Sequence, residues 1–106
     1  MIDLYYWPTP NGRKISIMLE ELDANYTPHP IDIYNKEQFS KSFSSISPSN
    51  KIPVIVDNEN NQSIFESGAI MLYLANKYSR LLPKQNYWET LEWFTFQISQ
   101  VGPLLG

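Results

Sequence analysis

With 106 residues, the chain has room for one compact domain with a single core, but not for two full domains. Hydrophobic residues make up 42% of it and aromatic residues 14%, which is typical of a globular protein and unlike a disordered chain. A formal charge of −3 with scattered Lys and Arg residues argues against nucleic acid as a partner. No apolar run is long enough to span a membrane, so we expect a cytoplasmic protein.

The chain contains no cysteine and a single histidine, His29. A disulfide framework and a Cys-x-x-Cys redox pair are therefore excluded, and we expect neither a metal site nor a catalytic triad built on histidine. Because it lies between two prolines on a predicted edge strand, His29 is interpreted as a surface side chain. Any thiol chemistry would have to come from a bound ligand.

The first third of the chain predicts a strand, a helix and a second strand. An apolar and aromatic run over residues 2–7 ends in a Pro- and Gly-rich turn, as a buried strand does. Helical spacing of four apolar residues then predicts a core-facing helix: Ile15, Met18, Leu19 and Leu22. Residues 26–33 predict a second strand. Pro28 and Pro30 cannot donate ladder hydrogen bonds, so this strand should lie at a sheet edge.

The next segments predict an irregular stretch, a hairpin and a helix. Residues 34–50 are polar and Ser-rich, which suggests a short, irregular helix in a mobile surface segment. The β-branched run over 52–56, a turn cluster and a short return strand over 63–65 predict an antiparallel hairpin. A further helix should open at Glu66-Ser67-Gly68 and end near Tyr78.

A last helix is predicted to run up to a stop at Gly102-Pro103. Its large apolar residues spread around much of the helix, as in a bundle: Trp88, Leu91, Phe94, Ile98 and Val101. We expect these side chains to form an exposed patch, because the chain contains no further helices to cover them.

Three segments, over residues 5–12, 47–54 and 65–70, together resemble the N-terminal domain of glutathione transferases. The motif Pro-Thr-Pro-Asn-Gly-x-Lys, with Asn-Lys-Ile-Pro downstream, is most similar to the bacterial nu class and to fungal nitrogen-regulator-like transferases. The resemblance implies an α/β (α+β) thioredoxin-like fold, βαβ-α-ββα with a mixed four-stranded sheet, over residues 1–80. A linker over 81–86 and the start of an all-helical domain over 87–106 would follow, in a homodimer.

The resemblance implies that Thr9 and Asn11, in the loop after the first strand, face the sulfur of glutathione and are the catalytic residues. A free thiol has a pKa of about 8.5, and a hydrogen bond to a charged group contributes roughly 1.5–3 kcal/mol. One or two donors would therefore bring the thiol pKa near neutrality. The alternative is that both side chains only shape a Pro-rich turn. Tyr5 and Tyr6 lie before that loop and are interpreted as packing residues.

The resemblance assigns the peptide part of glutathione to the second segment, residues 47–54. The resemblance implies a cis Ile52–Pro53 bond, which turns the backbone of Ile52 towards the cysteinyl backbone of the ligand. Lys51, with Gln38 as a second contact, would face the glycyl carboxylate. The alternatives are an ordinary trans proline at a strand start and two solvated surface side chains.

The resemblance assigns the γ-glutamyl end of glutathione to the third segment, residues 65–70. Glu66 and Ser67 lie at a predicted helix N-terminus, which favours a carboxylate. The resemblance implies that the hydroxyl and N–H of Ser67 hold the ligand carboxylate while Glu66 faces its ammonium group. From the residues alone, both would equally be read as capping residues.

The sequence therefore predicts an enzyme that uses glutathione as co-substrate, needs no metal, and activates the ligand's thiol. Disulfide reduction is favoured, with conjugation to electrophiles or reduction of peroxides as secondary activities. The alternative is a non-catalytic regulatory or assembly module of the same fold. We expect neither nucleic acid nor a membrane as a partner.

Overall fold

The computed structural model describes residues 1–105 and opens with a β-α-β unit. Its first half consists of β1 (Ile2–Tyr6), α1 (Pro10–Glu21), β2 (Tyr26–Pro30), a 3-10 turn (Glu37–Phe39) and α2 (Lys41–Ser44). Its second half consists of β3 (Val54–Asp57), β4 (Gln62–Phe65), α3 (Ser67–Tyr78), α4 (Tyr87–Phe96), a π-helical segment (Gln97–Val101) and α5 (Gly102–Leu105). None of the helices in the described part of the chain combines the length and apolar character needed to cross a bilayer.

The four strands form one mixed sheet in the order β2-β1-β3-β4. Strand β1 pairs with β2 in parallel and with β3 antiparallel, and β3 pairs antiparallel with β4. The prediction that the proline-containing strand lies at an edge is confirmed, because β2 has a neighbour on one side only. The predicted hairpin is also confirmed, although β3 begins at Val54, two residues later than expected.

The core lies between one face of the sheet and the helices α1 and α3. Successive side chains of a strand point to opposite faces, so Ile2 and Leu4 of β1 point into this layer while Asp3 and Tyr5 do not. All four apolar residues predicted on α1 are buried there, together with Ile55, Ile70, Leu74 and Ala75. Burial of each large aliphatic side chain stabilises the fold by roughly 1.5–3 kcal/mol.

The junction of β1 and α1 is tighter than predicted. Thr9 is the N-cap of α1, and its Oγ1 accepts a hydrogen bond from the Gly12 N–H at 3.2 Å. A Cβ atom at Gly12 would lie 2.3 Å from the carbonyl oxygen of Trp7, so only glycine fits. The helix begins at Pro10, whose fixed φ suits the first helical position. Asn11 therefore lies in the first turn of α1, and the prediction that it belongs to the preceding loop is wrong.

His29 is not simply a solvated surface residue, as the sequence suggested. Its Nε2 lies 2.9 Å from Oδ1 of Asp3, and its ring stacks on Tyr5 with centroids 4.8 Å apart. Parallel pairing places His29 opposite Tyr5, and this register brings the two rings together. Tyr5 also contacts Phe43 of α2, and Tyr6 packs against the core, which confirms both tyrosines as packing residues.

The helix that begins with α4 does not stop at Gly102-Pro103, and that prediction is wrong. After α4 the helical turn widens in the π-helical segment, where the Gly102 N–H donates to the carbonyl of Gln97, five residues earlier. Helix α5 then starts at Gly102, which puts Pro103 in its first turn, a position that tolerates the missing N–H of proline. The widened turn thus allows helical backbone to continue through the predicted stop.

The predicted apolar patch of the last helix is exposed only in part. A Cβ atom on Gly68 of α3 would lie 2.7 Å from Ile98 and 3.9 Å from Phe94, so these two side chains pack against α3. Trp88 is 74% exposed, and the exposed face also includes Trp93 and Phe96, which were not in the predicted set. Of the predicted set, Trp88 therefore faces solvent, while Phe94 and Ile98 are partly covered by α3.

Candidate functional site

A cavity of about 660 Å³ opens where the N-terminal ends of α1 and α3 meet the segment that precedes β3. Seven of the eight residues assigned to a site from the sequence line it: Thr9, Asn11, Gln38, Lys51, Ile52, Glu66 and Ser67. The eighth, Pro53, is buried beside Ile52 in the chain. The π-helical segment and the start of α5 complete the wall.

Thr9 and Asn11 lie at the N-terminus of α1, where the helix dipole favours an anion. The Thr9 hydroxyl donates to the Trp7 carbonyl over 3.4 Å, which is a long and weak hydrogen bond. Rotation of that hydroxyl towards a ligand would therefore cost little. Asn11 is exposed at the cavity wall, and its amide is a second potential donor. This end of the cavity can stabilise a negatively charged atom.

The segment before β3 presents backbone to the cavity. The Ile52–Pro53 bond is cis. Pairing of β3 with its neighbours begins at Val54, so the backbone of Ile52 lies beyond the ladder and can accept an extended peptide. Ser47, which the sequence did not single out, is fully buried and holds this segment in place. Its hydroxyl donates to the Lys51 carbonyl at 2.8 Å and accepts from the Lys51 N–H at 3.2 Å.

The start of α3 has an open helix terminus. Glu66 is the residue before the helix, and its side chain makes no capping hydrogen bond to it, so the interpretation of Glu66 as a capping residue is not supported. Its φ of 73° is unfavourable for any residue except glycine and costs on the order of 1–3 kcal/mol. Ser67 follows as the first helical residue, where unpaired N–H groups favour a carboxylate. The exposed Glu66 carboxylate next to them can attract a cation.

Gln38 lies in the cavity wall with its Oε1 atom buried and unpartnered within the described residues. Burial of an amide oxygen without a hydrogen bond costs roughly 1–3 kcal/mol, so a ligand N–H would be favourable there. Turning the amide over would present its NH₂ group instead, which suits a carboxylate. Gln38 therefore fits a peptide ligand in either orientation.

Sequence reasoning missed Lys14, Asn50 and Gln97, all of which line the cavity. Lys14 could have been found, because it lies three residues after Asn11 and so on the same face of α1. Gln97 could not, because its position depends on how the last helix packs. The Lys14 ammonium donates to Gln97 Oε1 at 3.0 Å, which joins α1 to the π-helical segment.

Most of the chain matches a known protein family. Residues 1–76 match the family model described as the N-terminal domain of glutathione S-transferase. The chain belongs to the glutathione transferase family. This match confirms the family resemblance and, with the solved structures below, the thioredoxin-like fold class predicted from the three motifs.

Similar transferases are known in bacteria and fungi. The chain is 45% identical over 113 residues to the disulfide-bond oxidoreductase YfcG of Escherichia coli K12. This alignment covers 100% of the chain and 53% of YfcG. It is 36% identical to Protein URE2 of Candida albicans, over 92% of the chain and 31% of that protein. A glutathione transferase from Pseudomonas putida, solved with one glutathione disulfide per subunit, is 44% identical with a TM-score of 0.90. That alignment covers 96% of the chain and 47% of the transferase, so the chain spans about half the length of such relatives or less.

Proposed function

We propose that the chain forms the glutathione-binding part of an enzyme that reduces disulfides with the thiol of glutathione. The observation that carries this proposal is that one cavity presents an anion-stabilising end, an open backbone segment and an open helix terminus together. These features match the thiol, the peptide backbone and the γ-glutamyl group of one ligand. The names of similar proteins, a disulfide-bond oxidoreductase and a transferase with bound glutathione disulfide, support the same reaction.

Each end of glutathione has a partner of suitable chemistry in the cavity. Ser67 and the first turn of α3 hold the γ-glutamyl carboxylate, while Glu66 faces the ammonium group. The backbone of Ile52 pairs with the cysteinyl residue, and Lys51 with Gln38 receives the glycyl carboxylate. This arrangement leaves the sulfur at the N-terminus of α1.

Thr9 and Asn11 then stabilise the thiolate by hydrogen bonding. Each pKa unit of depression needs about 1.4 kcal/mol, so two such donors are sufficient at neutral pH. The thiolate attacks one sulfur of a disulfide substrate and forms a new S–S bond, and the other sulfur leaves as a thiolate that takes up a proton. A second glutathione thiolate attacks the mixed disulfide, which gives glutathione disulfide and the second reduced thiol.

The rate of glutathione-dependent reduction of a small disulfide tests this proposal. It is measured on the protein in the form that its gene encodes. We expect turnover with glutathione, and a loss of at least about tenfold in kcat when both sulfur-facing groups are removed in Thr9→Val/Asn11→Ala. Conjugation of an electrophile and reduction of a peroxide are assayed in parallel and should be slower. Glutathione binding without turnover on any of these substrates would favour a non-catalytic module of the same fold.

A further inference from the structure

Lys14 places a positive charge in the cavity that the proposed ligand contacts do not use. It is half-buried, and its ammonium is held 3.0 Å from the neutral amide oxygen of Gln97. Among the described residues, no carboxylate lies within ion-pair distance of Lys14. The charge is therefore positioned by a hydrogen bond and not neutralised by it.

The other charged groups that line the cavity come from different elements. They are Lys51, before β3, and Glu66, before α3, while the π-helical segment and the start of α5 contribute neutral residues only. In the proposed function, Lys51 and Glu66 are matched by the glycyl carboxylate and the ammonium group of glutathione. Lys14 lies one helical turn after Asn11, so their Cβ atoms are about 5–6 Å apart. Its charge is therefore next to the end of the cavity that takes the sulfur.

We propose that Lys14 lowers the pKa of the bound glutathione thiol through its electric field, and that Gln97 aims its ammonium at the cavity. This inference rests on the proposed function and adds a positioning pair to it. Thr9 and Asn11 donate hydrogen bonds to the sulfur, whereas Lys14 acts without contact. The thiol proton leaves to solvent.

The geometry around Gln97 fits this role. A Cβ atom on Gly102 would lie 3.2 Å from the Gln97 carbonyl and 3.3 Å from its Nε2 atom, so the absence of a side chain there leaves room for the amide. The π-helical segment that contains Gln97 is of a kind often found at functional sites. A carboxylate in place of this amide would hold Lys14 equally well but would cancel its charge.

Ultraviolet absorbance of the glutathione thiolate, followed against pH in the complex, tests the proposal. Lys14→Met should raise the thiol pKa by about 0.5–1 unit, which lowers the ratio of thiolate to thiol by about threefold to tenfold at any given pH. Gln97→Glu, which keeps the shape of the side chain, should raise the thiol pKa in the same direction. Lys14→Arg keeps the charge and should leave the thiol pKa close to that of the wild type.

Calorimetric titration of glutathione into the same variants separates the possible failures. If the wild-type protein binds no glutathione, both the proposed function and this inference are wrong. If glutathione binds but its thiol pKa is unchanged in both Lys14→Met and Gln97→Glu, the proposed function stands and the role of Lys14 is overturned. A purely structural contact would give that result together with a lower melting temperature.

Discussion

In the proposed function, Lys51 and Ser67 hold opposite ends of glutathione, and neither contributes a side chain to the core. Lys51 is exposed, and the hydrogen bonds that fix its position are made by its backbone to Ser47. Ser67 is half-buried at the first turn of α3. Shortening either side chain should therefore affect the ligand far more than the fold.

We predict that Lys51→Ala and Ser67→Ala each weaken glutathione binding by roughly 1–3 kcal/mol, because each leaves a ligand carboxylate without one of its partners. Isothermal titration calorimetry measures both changes. Lys84→Ala and Ser63→Ala are matched controls, since both positions are exposed and neither lines the cavity. Wild-type affinity in both Lys51→Ala and Ser67→Ala would show that the ligand is held elsewhere.

At the scale of elements, the buried carboxylate of Asp57 joins the hairpin to α3. Asp57, at the end of β3, accepts hydrogen bonds from the Tyr73 hydroxyl and from the Lys77 ammonium, the latter at 2.8 Å. Burial alone would raise the pKa of Asp57, but hydrogen bonds from Lys77, Tyr73 and the Glu59 amide outweigh it and lower that pKa to about 2. The ionised form of Asp57 thus stabilises the folded state.

This arrangement predicts how stability changes with pH. Because the pKa of Asp57 is lower in the folded state than its usual value of 3.8, its contribution is present above about pH 4 and is lost as the pH falls towards 2. The contribution should amount to about 2 kcal/mol. Urea unfolding at pH 5 and pH 2 should show the difference between wild type and Asp57→Asn shrinking by about that amount. Glu89→Gln, at an exposed position of α4, is the control. An equal difference at both pH values would contradict the account.

Elements with a strong local pattern could be predicted, and contacts set by register could not. The buried stripe of α1 and the edge position of β2 follow from apolar spacing and from prolines, both of which are local signals. The contact of His29 with Asp3 depends on parallel pairing of β1 and β2, which no local signal fixes. The π-helical segment was also missed, because a Gly-Pro pair normally marks the end of a helix.

In the candidate site, too, some features could be predicted from the sequence and others depend on tertiary packing. The motif around Ile52, and the helix start at Glu66, could be placed in one cavity because a family resemblance supplied the long-range arrangement. Lys14 and Gln97 meet only because α4 packs against α3 at Gly68, which depends on the tertiary structure. Periodicity alone does not determine such a contact.

At the scale of the whole molecule, α4 presents an aromatic face to solvent. Trp88 and Trp93 are 74% and 65% exposed, and the ring of Phe96 packs edge-on against that of Trp93. We predict that the chain self-associates through this face. Sedimentation velocity should show oligomers for the wild type and a shift towards monomer for Trp88→Glu/Trp93→Glu. A wild-type chain that sediments as a clean monomer would contradict this prediction.

We infer that the cavity between the N-terminal ends of α1 and α3 holds glutathione with its sulfur at α1. A crystal structure of the protein with glutathione would show the position of every ligand atom. We expect the γ-glutamyl carboxylate at Ser67 and the cysteinyl backbone paired with Ile52. The sulfur should lie within about 3.5 Å of the Thr9 hydroxyl or the Asn11 amide. Glutathione bound outside this cavity, or inside it with the sulfur directed away from Thr9 and Asn11, would contradict the account.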